Sequence, residues 1–203
     1  MKNVTVKPVS TKSELRDFVR LPRRIYAHYP CYVPDMESDV RDTFSPQKNV
    51  ELESSDIQPF IAYADEEPAG RIVGIVNHRA NEQWHTRNVR FGFLEFTDDN
   101  DVSRALLEAV EEWGRRQGMT RIQGPMGFSD LDKEGMLVED FDMNGSMTAL
   151  YNPPYYPVHL EQLGYEKEVD WLQARINIPR EVPEKYARVA RLTREMFGLH
   201  TRG

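Results

Sequence analysis

Cysteine is almost missing from this chain of 203 residues, where Cys31 stands alone. One thiol excludes an internal disulfide and a Cys-rich zinc site. With no histidine assigned to it by pattern, it reads as a structural thiol rather than a nucleophile. His28, His78, His85, His159 and His200 show no metal-ligand spacing, so no metal is expected. No apolar run approaches the ~20 residues that span a bilayer, and the opening MKNVTVKPVS lacks the apolar core of a secretory leader. A cytoplasmic location without a membrane partner is therefore expected. Basic runs are absent as well. With a formal net charge of −7, the chain is not expected to bind nucleic acid, whereas cationic substrates such as amines suit it. Gly124-Pro-Met-Gly has neither the lysine nor the length of a phosphate-binding P-loop.

What is present is enough for one domain, or one domain plus an appendage, since 39% hydrophobic residues suffice for a single core under a charged surface. Asn3–Val9 alternates as a strand does. Thr11 or Ser13 can cap the next helix, whose stripe begins Leu15, Phe18, Val19 and Pro22, with Pro22 bending or ending it. The aromatic stretch 23–34 reads as a short helix and an extended segment, Asp35–Phe44 as a helix, and Ser45–Gln58 as a polar loop. Pro59–Ala64 and Gly70–Asn77 are strands joined by the acidic turn 65–68. Val89–Thr97 follows as a third, after a short, helix-compatible connection around Trp84; antiparallel neighbours are predicted. Asp101–Gln117 carries Val102, Ala105, Leu106, Ala109, Val110 and Trp113 at helical spacing, with Asn100 or Asp101 as cap and Gly118 as stop. Met119–Pro125 then returns as a strand parallel to 89–97. The connection 124–151 is too rich in Phe, Leu and Met, Met147 among them, for a loose linker, and it is expected to pack over a cleft. Glu184–Phe197 is a final amphipathic helix.

The stretch Tyr151–Gln173, YNPPYYPVHLEQLGYEKEVDWLQ, is the most informative. Pro157 suits a first helical turn because its missing N–H has no partner there. Gly164 can take the left-handed conformation that closes a helix, and Val169–Ala174 is a β-prone run expected to form a strand at once. This LGYEKEVDW ending, with the element order over residues 3–178, resembles the GNAT superfamily of acyl-CoA-dependent N-acyltransferases. IYAHYPCYVPD, GRIVGIVNH, FGFLEF, RIQGPMGFSD and YNPPYYPVHLEQLGY are similar to a group of largely uncharacterised bacterial GNAT-like proteins.

The resemblance implies an α/β (α+β) fold with a mixed, mostly antiparallel central sheet flanked by helices. It implies an acyl-CoA, acetyl-CoA or longer, as cosubstrate, and a small-molecule amine as acceptor. Members of the bacterial group are longer, so residues 1–178 are expected to be the GNAT-like domain and 179–203 a helix leading to a second domain. The aromatic 25–34 segment is the expected dimer or interdomain surface. By the same resemblance, backbone groups of Phe93, Leu94 and Phe96 would hold the acyl donor, with Val102, Ser103 and Asn152 as further donor contacts.

The residues depart from the family where chemistry usually sits. The phosphate cradle wants arginine and glycine, yet Asp98 and Asp101 stand there, with Asp99 between them. Three acidic groups suit a helix N-terminus and repel a pyrophosphate. The family's tyrosine acid falls on Leu160, which leaves Tyr156 and Tyr155 as displaced phenols or as packing residues. Glu95, the one charge in FGFLEF, is the candidate general base if burial raises its pKa; the plain alternative is a carboxylate paired with arginine. Two functions follow: an N-acyltransferase, or a degenerate, non-catalytic module of the same fold.

Overall fold

A computed structural model describes residues 3–145, 149–174 and 176–200. Met147 and the ending Thr201–Gly203 lie outside them. The chain divides into two units, Met1–Glu168 and Val169–Gly203.

The first unit is built on one sheet of strands β1 (Val4–Pro8), β2 (Ser55–Ala64), β3 (Glu67–Asn77), β4 (Asn88–Phe96) and β5 (Arg121–Gln123), in that spatial order. The first four are antiparallel neighbours and β5 runs parallel to β4. Asp65 and Glu66 join β2 to β3 with φ of 49° and 70°. Two left-handed residues in a two-residue turn match the twist of the strands they connect. The segment expected as a polar loop is shorter than its composition implied. β2 starts at Ser55, after a 3-10 turn at Val50–Glu53. Pro59 is tolerated inside it because the ladder bond it removes falls where β1 ends; its carbonyl still accepts from Val9 N–H at 2.9 Å.

Helices cover both faces. On one side lie α1 (Lys12–Ile25) and α2 (Glu37–Thr43), over Phe18, Val19, Val40, Ile61, Val73 and Ile75. A short α3 (His78–Gln83) leads into β4. On the other side α4 (Asn100–Arg116) and α5 (Tyr155–Gln162) enclose Ile72, Val76, Phe91, Phe96, Val102, Leu106, Tyr156 and Leu160. Successive β3 residues, Ile72 and Val73, thus feed opposite cores, as a period of two requires.

Thr11 starts α1 with a capping box: its hydroxyl accepts from Glu14 N–H at 3.2 Å, and the Glu14 carboxylate accepts from Thr11 N–H at 2.8 Å. Pro22 does not end this helix, which runs on to Ile25. A proline inside a helix orphans the carbonyl four residues earlier. Here that carbonyl belongs to Phe18, and Arg71 Nη1 donates to it at 2.7 Å. A long-range contact repairs the local defect.

At α4 the cap is Asp99, one residue before the expected Asn100 or Asp101: its side chain accepts from Asp101 N–H at 3.0 Å. Gly164, at φ +86°, closes α5. The strand expected immediately afterwards does not form; residues 169–174 carry no strand. Within the first unit, the Arg121 and Gln123 side chains of β5 bind Glu168 at 2.8 and 2.7 Å. The second unit contains α6 (Glu184–Phe197), none of whose residues is buried.

Candidate active site at the β4 bulge

β5 pairs only with Asn88–Arg90, so β4 runs on past its neighbour. In that free stretch the β3–β4 register shifts between Arg71 and Val73, and Phe93 adopts φ +51°. A positive φ on a bulky residue is costly and persists only where the surroundings enforce it. Arg71 packs beside Phe93. Its guanidinium lies 5.6 Å from the Phe93 ring centroid and 4.7 Å from that of Phe18.

Directly opposite Arg71 in the register stands Glu95. Arg71 Nε and Nη2 donate to Glu95 Oε2 and Oε1 at 2.5 and 3.1 Å, a two-pronged pair. The side chains are 3% and 13% exposed, so the pair is largely out of water. Glu95 is therefore a carboxylate paired with arginine. Each of its oxygens has a second acceptor position that the arginine does not use.

Phenols surround this pair. Tyr26 follows α1, and Tyr32 stacks on it at 4.0 Å. The Tyr26 and Tyr156 hydroxyls lie 3.2 Å apart. Tyr156 is fully enclosed, stacks on Phe96 at 4.1 Å, and its oxygen accepts from Phe96 N–H at 2.8 Å. Tyr155 donates its hydroxyl to the Phe96 carbonyl at 2.6 Å. Both polar ends of Phe96 are thus held by α5. Burial first pushes both the Tyr26 and Tyr32 phenols up, followed for Tyr26 by the neighbouring Tyr156 and then Glu95, and for Tyr32 by the Glu95 charge. Tyr156 is raised well above its ordinary value by burial and then by Glu95, and Tyr155 is raised chiefly by burial.

The start of α4 forms the neighbouring wall. Val102 N–H and Ser103 N–H both reach the Asp99 carbonyl at 3.1 Å. Val102 and Ser103 are fully buried. Ser103 Oγ lies 2.9 Å from His159 Nδ1, and His159 Nε2–H faces the exposed Asp98 carboxylate at 2.9 Å. Asn152, also buried, clamps the preceding loop by accepting from Leu137 N–H at 2.7 Å and donating to the Leu137 carbonyl at 3.1 Å. Leu94 is buried in the core, and Phe93 packs on the α1 side. Two open surface depressions, of about 420 and 400 Å3, lie elsewhere, one around Arg20, Arg24 and Glu37, the other around Asp42, Lys48 and Asp132.

Of the residues singled out from sequence, Glu95, Tyr155, Tyr156, Phe93 and Phe96 come together here, while Val102, Ser103 and Asn152 serve packing and loop closure. Arg71, Tyr26, Tyr32 and His159 went unremarked as site residues. Arg71 carried a signal: it is the only charge in GRIVGIVN, and the hairpin register sets it across from Glu95.

An antiparallel β1–β4 block, a helix returning to a parallel β5, a bulged β4 outrunning β5, and a short helix closed by glycine over that bulge define a GNAT-like fold. No known family profile matches the chain. Among curated proteins it is similar to protein YghO of Escherichia coli (strain K12), 28% identical over 172 residues, covering 83% of this chain and 44% of that protein. It is likewise similar to the bacterial ceramide synthase of Caulobacter vibrioides, 28% identical over 183 residues, covering 90% and 48%. The chain thus spans about half the length of these curated relatives. Similar solved structures include the aminoglycoside N-acetyltransferase AAC(6′)-Iy in complex with CoA, at 13% identity and TM-score 0.47 over 88% of this chain and 97% of that one. A predicted acetyltransferase with acetyl-CoA from Clostridium acetobutylicum aligns at 10% identity and TM-score 0.48, over 85% and 96%.

Proposed function

We propose that this chain carries the acyl-transfer site of an N-acyltransferase whose acceptor is an amine on an apolar chain. The carrying observation is the bulged β4 with Glu95 held beside it by Arg71. Arg71 fixes the Glu95 carboxylate in geometry, and the lone pairs that the arginine leaves unused give an acceptor ammonium an anion to dock on at the bulge. The ceramide synthase similarity supports the acceptor class, since a ceramide is a fatty amide of a long-chain amino alcohol. In the reaction an N–C bond forms and the thioester C–S bond breaks. The ammonium docked on Glu95 loses one proton to solvent before attack, the nitrogen loses a second as the amide forms, and the departing thiolate takes up one of the two. Tyr155 and Tyr156 belong to the walls of the site rather than to proton transfer, because the Tyr155 proton is committed to the Phe96 carbonyl and the enclosed Tyr156 hydroxyl to Phe96 N–H and the Tyr26 hydroxyl.

The direct experiment incubates the protein with acetyl-CoA or palmitoyl-CoA and either a short amine or a long-chain amino alcohol. Free thiol and amide product are then measured. Amide formed from the long-chain acceptor, and lost in Glu95→Gln, is the expected result. Absence of amide product in every combination, with no rise in melting temperature from either thioester, refutes the proposal. That outcome favours the second reading, a non-catalytic module, which draws on one specific observation: α5 already binds both ends of the Phe96 peptide.

A further inference from the structure

We infer that this unit recognises an acyl donor without using its pyrophosphate. The inference rests on the acyl-transfer reading above, and the start of α4 carries it. A helix N-terminus binds phosphate through N–H groups with no other partner and through a positive dipole end. Here Asp101 N–H is taken by the Asp99 side chain and Val102 N–H by the Asp99 carbonyl, which also accepts the ordinary helical bond from Ser103. Asp98, Asp99 and Asp101 set three carboxylates around the same turn, so an incoming dianion meets its own sign of charge.

The position is also closed from the far side. His159 reaches across from α5, 5% exposed, with one nitrogen on Ser103 Oγ and the other on Asp98. The cationic groups beside this turn are already answered by carboxylates, His159 by Asp98 and Arg104 by Asp101, each at 2.9 Å. Tyr155 and Tyr156, from the same helix, hold Phe96. These residues do not fit a nucleotide pyrophosphate at α4. Recognition then falls on the acyl chain and on the pantetheine arm along β4, both uncharged. A donor stripped of its nucleotide should serve as well as the complete one.

The test compares octanoyl-CoA with S-octanoyl-pantetheine by isothermal calorimetry on the wild-type chain, at 50 and 300 mM salt. Dissociation constants within threefold of each other, unchanged by salt, are the expected result, with no heat from adenosine 3′,5′-bisphosphate at 1 mM. Octanoyl-CoA binding tenfold or more tightly than the pantetheine thioester, or weakening steeply with salt, overturns the inference and leaves acyl transfer standing. Failure of both thioesters to bind overturns the inference together with the acyl-transfer reading.

Discussion

Arg71 joins three things that are far apart in sequence: the carbonyl that Pro22 orphans, the Glu95 carboxylate, and the ring of Phe93 at the bulge. Arg71→Met removes the charge and keeps much of the stem's volume. It leaves Glu95, 13% exposed, without its counter-ion, and Phe18 O without its donor. Breaking a buried pair from one side costs about 3–5 kcal/mol, and the orphaned carbonyl belongs to that same loss. For a unit of this size, each kcal/mol lowers the melting temperature by about 2–4 °C, so a fall of roughly 6–20 °C is expected. Replacing both partners, Arg71→Met with Glu95→Met, removes the stranded charge. The double variant should therefore recover about 2 kcal/mol of the single variant's loss, because a buried pair exchanged for apolar side chains is often close to neutral. Urea unfolding of the four proteins of this cycle at pH 7 gives the coupling directly. A single variant within 1 kcal/mol of wild type, or a double variant whose loss is the sum of the two singles, would refute the reasoning.

Tyr156→Phe keeps the stack on Phe96 but strands a buried N–H, and should cost about 1–3 kcal/mol by the same urea assay. Asp99→Ala should cost about 1 kcal/mol, and more than Asp101→Ala, since Asp99 is the residue that caps α4. Bonds from Ser10 and Thr11 N–H hold the Glu14 carboxyl down from 4.5 to about 2. A lowered carboxylate stabilises the fold above its unfolded value, and that contribution is lost as pH falls through the folded one. The stability gap between wild type and Glu14→Gln should accordingly shrink between pH 4.5 and 2. Tyr26 and Tyr156 are shifted the other way, so their contribution is complete below about pH 10 and lost as pH rises. Phenolate absorbance at 295 nm should count these two tyrosines only once alkali unfolds the chain; their titration in the folded state would contradict the burial argument.

How much of this was legible in the sequence depends on the range of the physics involved. Local rules decided α4, whose apolar stripe repeats at helical spacing, and the stop at Gly164, where a left-handed residue was needed. The antiparallel hairpins, the parallel return to β5 and Thr11 as a cap were readable for the same reason: neighbours in sequence settle them. Glu95 stood out because a single charge in an apolar strand has to be answered by something. What answers it could not be read locally. Arg71 is 24 residues away, and it is required as much by Pro22 on another element as by Glu95. Pro22 by itself marks a helix end, and only that distant donor lets the helix continue. Likewise β-propensity marked Val169–Ala174 as a strand, but residues 169–174 carry none, because propensity alone does not supply the partner that a ladder needs. The three aspartates at α4 announced a poor phosphate cradle from sequence alone. That His159 of α5 closes it was decided by tertiary packing, because only the fold sets residues some 60 positions apart within hydrogen-bond distance.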